Sequence, residues 1–334
     1  MRFYAIESEF GIDNLKVLEH DVPKPGFRQV LVKIRAASLN YRDLLVIGGR
    51  YSNLSLPLTP LSDAAGEVVE IGEGVSCWKP GDRVAGIFFQ TWLSGRFDDV
   101  IAKSALGGAL PGVLAEFAVF HEDGLVAIPQ HLSYEEGATI PCAAVTAWNA
   151  LTSGNLTCGQ TVLTLGSGGI STFAIQFAKA AGARIIATSS DDRKLSRMIQ
   201  MGASDGINYK AVPEWGSRVV ELTGGIGVDL VVEVGGLGTF GKSLQAVRSG
   251  GHISLIGVLS GRSGEADPTP AIRKAVRIQG IFVGSREMFE AMDRAITLHK
   301  IRPLIDRVFP FESVKDALHY MQSGAHIGKV VVVF

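Results

Sequence analysis

The chain has 334 residues, more than one small hydrophobic core organises, so two domains are expected. With 46% hydrophobic and 19% charged residues it is not a disordered chain, and 32 Lys and Arg against 33 Asp and Glu leave no basic excess for nucleic acid. No apolar run reaches the roughly 18 residues that span a bilayer, the charged N-terminus does not read as a signal peptide, and Cys77, Cys142 and Cys158 make no disulfide framework, so a soluble cytoplasmic protein without a membrane partner is expected.

In residues 29–36, Val30, Val32 and Ile34 alternate with Lys33 and Arg35, the pattern of a half-buried strand. Residues 65–71 and 83–88 are further short apolar strands, punctuated by Gly72-Glu73-Gly74 and by Lys79-Pro80-Gly81-Asp82. Short strands with frequent turns predict a small barrel-like or sandwich domain. From about residue 160 the rhythm changes. A strand at 161–165 is followed by a glycine turn and a helix at 170–181, with Ile170, Ala174, Phe177 and Ala181 at helical spacing. A strand at 184–188, a helix at 191–201 and strands at 229–234, 252–256 and 278–283 continue the alternation, which predicts βαβ units and a parallel sheet covered on both faces. Residues 259–270 read as a loop, and a helix at 313–323 and a strand at 329–334 close the chain.

The turn Gly166-Ser167-Gly168-Gly169-Ile170-Ser171 sits between a strand and a helix, where glycines let the backbone approach a pyrophosphate and the helix N-terminus offers unpaired N–H groups. The third glycine of the dinucleotide fingerprint is replaced by Ser171, but the βαβ context supports the reading. The end of the second strand selects the cofactor. An NAD site places a carboxylate there for the ribose 2′-hydroxyl; this chain has Ser189 and Ser190, then Arg193 and Lys194, which suits a 2′-phosphate and predicts NADP(H). The alternative for Arg193 and Lys194 is a solvated first helical turn, and Asp191 is placed to cap that helix. Tyr209 either packs beside the adenosine phosphate or is a partly buried loop tyrosine. Gly257, Val258, Phe282 and Val283 follow later strands, where ligands of parallel sheets bind, and Val283 is expected to hold the carboxamide. The seven histidines show no metal spacing and are assigned surface or packing roles.

These features resemble the medium-chain dehydrogenase/reductase superfamily, and within it the zinc-independent quinone oxidoreductases and enoyl or alkenal reductases. The carriers are Ala37-Ser38-Leu39-Asn40-Tyr41-Arg42-Asp43, Ala65-Gly66-Glu67-Val68-Val69-Glu70-Ile71-Gly72-Glu73-Gly74-Val75, Lys79-Pro80-Gly81-Asp82-Arg83-Val84, Gly137-Ala138-Thr139-Ile140-Pro141, the cofactor turn and Gly328-Lys329-Val330-Val331. The resemblance spans the chain. It implies a GroES-like catalytic domain from residues 1–143 and 284–334, a Rossmann domain at 144–283, and an active site between them. It also implies a homodimer joined through edge strands, with 278–283 the expected edge, and a final segment that brings Lys329 to the cofactor.

By position, the ligands of zinc-dependent relatives fall at Asn40, at Ser62 with Asp63, and at Cys142, of which only Cys142 keeps ligand character. Residues 89–112, where such relatives often carry a four-cysteine lobe, contain no cysteine. Both zinc sites are expected to be lost, with a weakly held metal at Cys142 and Asp63 as the alternative. Without a metal, reduction of a quinone or a conjugated C=C is favoured over oxidation of an unactivated alcohol, because a hydrogen-bond donor suffices to stabilise the developing oxyanion. The resemblance makes Tyr51 an active-site phenol, with an aromatic lid as the alternative, and Asn40 an orienting group near the nicotinamide ribose, with a turn cap as the alternative. Tyr41 and Trp92 are expected to line the substrate pocket; Trp92, in an aromatic-rich segment, could instead be a loop anchor or subunit contact. The expected function is an NADPH-dependent, zinc-independent reductase of a small carbonyl or quinone. The alternatives are an alcohol dehydrogenase of the same fold and a protein that binds NADPH without turnover.

Overall fold

The computed structural model describes residues 1–51, 54–261 and 263–334. Two compact units divide the chain, Met1–Val145 with Gly284–Phe334, and Thr146–Val283. In chain order the first unit begins with β1 (Arg2–Ala5), β2 (Lys16–Glu19), β3 (Gln29–Ser38), β4 (Asp63–Ile71), β5 (Arg83–Gly86), β6 (Phe117–His121) and β7 (Leu125–Ala127). The second unit carries β8 (Thr161–Thr164), β9 (Arg184–Ser189), β10 (Asp205–Asn208), β11 (Val228–Glu233), β12 (Val247–Leu255) and β13 (Arg277–Gly280). The chain then returns to the first unit with β14 (Ile305–Pro310) and β15 (Lys329–Val333).

The first unit is built on a seven-stranded sheet in the order β14-β15-β3-β4-β5-β7, with β6 also paired to β3. Its core gathers Val30, Val32 and Ile34 from β3 with Val68, Val84 and Val332. The strand β3 is central because its alternation is matched on both sides: β4 and β15 are both antiparallel to it. At Gly66 a Cβ would come within 2.2 Å of the Lys33 carbonyl oxygen, so that close crossing of β4 over β3 requires glycine.

The second unit is a six-stranded, wholly parallel sheet in the order β10-β9-β8-β11-β12-β13. The order reverses direction between β8 and β11, the arrangement of a doubly wound dinucleotide-binding sheet. The helix Gly169–Ala180 packs Phe173, Ala174 and Phe177 inward, and Asp191 caps Asp192–Met201 by accepting from the Arg193 and Lys194 backbone N–H groups at 2.8 and 3.2 Å. Three expected strands differ markedly in extent, and the one expected at 252–256 begins earlier, at Val247. The 83–88 strand stops at Gly86, after which Phe88 and Phe89 leave the sheet for an aromatic cluster. The 278–283 strand shortens to Arg277–Gly280, because Val283 turns the chain with φ at +55°. Among the described residues no helix is long and apolar enough to cross a membrane.

His252, in β12, is 3% exposed, and neither ring nitrogen makes a hydrogen bond among the described residues. Burial, with Arg277 nearby, lowers its pKa. The unfolded chain therefore takes up this proton first, so stability is lost as pH falls through about 6.5, the ordinary histidine value. The His252→Leu variant is expected to flatten the loss of melting temperature between roughly pH 7 and 5; an unchanged slope would refute this assignment.

Candidate functional site

The second unit brings its expected cofactor residues to one edge of the sheet, at the carboxyl ends of the strands. After β8 the chain passes through Gly166, Ser167 and Gly168 into the helix that begins at Gly169 and Ile170. Gly166 has φ at +71°, a left-handed conformation that favours glycine, and its N–H donates to Thr188 Oγ1 at 3.3 Å. A Cβ at Gly166 or Gly168 would meet no protein atom within 4 Å. The turn thus leaves open space at a helix N-terminus, a cradle that fits a pyrophosphate. Ser171, in place of the third glycine, is buried and donates to the Leu165 carbonyl at 2.6 Å, so a small hydroxyl ties helix to strand there.

At the end of β9, Ser189 is buried and Ser190 partly exposed. The Arg193 side chain is 94% exposed and reaches back to Asp191 at 3.3 Å, and Tyr209 is exposed while its N–H donates to the Ser189 carbonyl at 3.0 Å. Gly257 and Val258 follow β12, and Phe282 and Val283 follow β13; the Val283 carbonyl accepts from Asn149 Nδ2 at 2.8 Å. Sequence reasoning passed over Glu233. This buried carboxylate at the end of β11 accepts from the Gly235 and Gly236 N–H groups at 2.7 and 3.1 Å and from Thr239 Oγ1 at 2.6 Å, and it also binds Ser243 Oγ. It holds the 235–239 turn on the same edge of the sheet.

The first unit assembles a second polar cluster, and strand register explains why. Val331 of β15 pairs with Ser38 of β3, so Lys329 falls beside residue 40; on the other side Ser38 pairs with Asp63, the first residue of β4. The Lys329 side chain is 3% exposed, and its ammonium donates to the Leu39 carbonyl at 2.7 Å and to Asn40 Oδ1. Asp63 accepts from Ser62 Oγ at 2.6 Å and from the Cys142 N–H at 3.0 Å, the latter presented by the π-helical turn Ile140–Ala144. Asn40 precedes the helix Tyr41–Ile47, and its N–H donates to Asp43 Oδ2 at 2.8 Å. Burial raises the pKa of Asp43 to about 6 and raises that of Asp63, and it lowers that of Lys329. Burial likewise pushes the Cys142 thiol well above its ordinary value, so it remains protonated.

Tyr51 is partly buried, and burial raises the pKa of its phenol. Its ring lies 5.1 Å from the Arg42 guanidinium, which also lies over Phe88 at 5.0 Å. Arg42 is the inward neighbour of the pair Tyr41–Arg42: it donates to the Leu106 and Gly107 carbonyls at 2.9 and 3.2 Å, whereas Tyr41 is exposed. Adjacent residues of a helix point in different directions, and the sequence did not say which would turn in. Trp92 is 5% exposed, packs 5.9 Å from Phe89 and 4.9 Å from Phe97, and donates from Nε1 to the Gly95 carbonyl at 3.1 Å. That placement is the one expected of a loop anchor.

Two family models match the chain, one described as an alcohol dehydrogenase GroES-like domain over residues 26–130 and one as a zinc-binding dehydrogenase over residues 169–297. The chain is 44% identical to a zinc-type alcohol dehydrogenase-like protein of Schizosaccharomyces pombe, with 98% of each chain covered. It is 30% identical to an acryloyl-coenzyme A reductase of Metallosphaera sedula, with 95% of this chain and 96% of the relative covered. The solved structure of an NAD-dependent alcohol dehydrogenase is 32% identical and matches with a TM-score of 0.92 over 100% of both chains. A doubly wound nucleotide sheet joined to a GroES-like domain defines an oxidoreductase that uses a nicotinamide cofactor. The chain belongs to the medium-chain dehydrogenase/reductase superfamily.

The zinc in these descriptions does not fit the donor set. Asn40 Oδ1 is engaged by Lys329, Ser62 donates to Asp63, and among the described residues no group of three His, Cys, Asp or Glu is placed to hold a metal ion. Amide and hydroxyl oxygens are poor donors for zinc, which favours thiolate, imidazole and carboxylate.

Proposed function

We propose that this enzyme is an NADPH-dependent reductase of quinones or α,β-unsaturated carbonyl compounds that works without zinc. One observation carries the proposal: of the positions that match zinc ligands in metal-dependent relatives, Asn40 is held by Lys329, and Asp63 is held by Ser62 and by the Cys142 N–H. Such a site offers donors for a developing oxyanion and no Lewis acid to acidify an alcohol. The similarity to an acryloyl-coenzyme A reductase points the same way, since an acryloyl thioester is an α,β-unsaturated carbonyl compound.

The residues divide the work. Gly166, Ser167, Gly168, Gly169 and Ile170 receive the pyrophosphate, Ser189, Ser190, Arg193 and Lys194 with Tyr209 receive the adenosine 2′-phosphate, and Gly257, Val258, Phe282 and Val283 receive the nicotinamide. When bound, the reduced nicotinamide supplies the hydride. Asn40 orients the acceptor and Tyr51 donates a proton; Tyr41 borders the acceptor. With excess NADPH, a panel of enones and quinones is expected to oxidise the cofactor, and simple alcohols with NADP⁺ to give little reduction, with or without added zinc. Turnover of alcohols alone would overturn the reading in favour of an alcohol dehydrogenase. No turnover of any kind would favour a binding protein.

Changing both Arg193 and Lys194 to Gln is expected to weaken NADPH about tenfold and leave NADH unchanged, since exposed charge pairs are worth about 0.7 kcal/mol each. The NADPH loss should shrink in high salt. Equal losses for both nucleotides, read by nicotinamide fluorescence, would contradict the 2′-phosphate assignment. The enzyme is placed in the cytoplasm as a homodimer paired through β13, an exposed edge strand that would otherwise be a template for aggregation. Sedimentation should give twice the 35.5 kDa chain mass, and a monomer would refute the pairing.

A further inference from the structure

Asn40 is 8% exposed; its Nδ2 makes no close hydrogen bond among the described residues, and the polar group it acts on is the Asp63 carboxylate, whose pKa it helps to lower as a side-chain donor. A buried amide nitrogen left short of close partners is costly, so its persistence needs a reason. Lys329 supplies one. An ammonium has donors only, so the atom facing it must be Oδ1. The Lys329 contact therefore settles which way the amide points and turns both Nδ2 protons away from the lysine. The second anchor, to the Leu39 carbonyl at 2.7 Å, fixes the ammonium itself. An apolar side chain at position 329 would not do this, and the positive charge further polarises the amide it holds.

We propose that Lys329 is a positioning residue that locks the Asn40 amide so that Nδ2 serves as the oxyanion donor, in the place where metal-dependent relatives hold a cation. The inference rests on the reductase reading above. As a conjugated acceptor is reduced, a C–H bond forms at its β-carbon. The C=C pair moves between the α- and carbonyl carbons, and the carbonyl π pair moves onto oxygen. The nicotinamide is oxidised, and Tyr51 or water later protonates the α-carbon. Asn40 Nδ2 donates to the oxygen while it carries that charge, and Lys329 keeps the donor from rotating away. Because the ammonium already fills the cation position, a divalent metal at the same place would be repelled by it.

The test compares Asn40→Asp, Lys329→Met and Lys329→Arg with the unmodified enzyme. Asn40→Asp keeps an oxygen for Lys329 and removes the donor; loss of one oxyanion donor costs about 10²–10³ in kcat. It is expected to lower kcat for an enone about 100-fold while KM and NADPH affinity stay within about threefold. Lys329→Met should lower kcat similarly, and Lys329→Arg should recover most of it. A readout without turnover accompanies these: unmodified protein incubated with zinc and desalted should retain none by metal analysis. One zinc per chain would mean that the ammonium yields its place, and would overturn the lock. So would an Asn40→Asp enzyme within twofold of normal kcat, which decides the matter even if Lys329→Met does not fold. An unmodified enzyme inactive on every enone and quinone would overturn the reductase reading and this inference together, whereas an active enzyme indifferent to the substitutions overturns the inference alone.

Discussion

Replacing Gly168 by Asp is expected to weaken NADPH binding at least about 100-fold and to leave the thermal unfolding midpoint unchanged or slightly higher. The two halves of that result have separate causes. Gly168 is the N-cap of the helix Gly169–Ala180, with φ at −77° and ψ at −177°, a backbone that any residue adopts. A Cβ there meets no protein atom within 4 Å, and Asp is among the preferred caps, better than Gly by a few tenths of a kcal/mol. The fold therefore tolerates the change. The ligand does not: a carboxylate about 4 Å from a phosphate charge, at an effective dielectric of about 20, opposes it by about 4 kcal/mol before screening. Fluorescence titration and a melting curve on the same sample read both quantities. Retained NADPH affinity would remove the glycine turn from the cofactor site, and a lower melting point would show that Gly168 is required by the fold instead.

Tyr51→Phe is expected to lower kcat for an enone about 100-fold, within the range a general acid contributes. The phenylalanine ring keeps its place against the Arg42 guanidinium, 5.1 Å away, so the substitution removes the hydroxyl, with its interaction with Arg42, and leaves the ring. Burial raises the phenol pKa above its ordinary value of 10.0, which keeps the proton on oxygen throughout the neutral range. The unmodified enzyme should accordingly hold its kcat up to about pH 10 and lose it only above, as the phenol ionises. A lid role predicts a different pattern: a raised KM or weaker NADPH with kcat unchanged, and no dependence on the hydroxyl. That pattern in the Phe variant would retire Tyr51 as an acid.

Much of the fold is legible in the order of the amino acids. The 161–165 strand, the glycine turn and the helix after it fall within a residue of β8 and Gly169–Ala180, because a buried parallel strand followed by a glycine break and a helical period leaves few other readings. Asp191 stands as the cap that its position implies. The shorter strands β1, β2, β6, β7 and β14 are not distinguishable in that way, since three to six residues carry too little periodicity. The turn around Glu233 is not legible either: its carboxylate bonds to groups two to ten residues further on, and no spacing rule marks it.

By itself the sequence determined the doubly wound half, the nucleotide turn and the family, because those features are local: alternation, glycine spacing and caps act over a few residues. Only the tertiary structure decided what Lys329 does. It stands 289 residues from Asn40 in the chain, and the two meet because β15 pairs with β3 in a register that sets Val331 opposite Ser38 and so brings residue 329 beside residue 40. A lysine read along the chain is a surface charge or a cofactor contact. Buried, with the Leu39 carbonyl and the Asn40 amide oxygen in reach, it becomes a fixed cation that orients its neighbour.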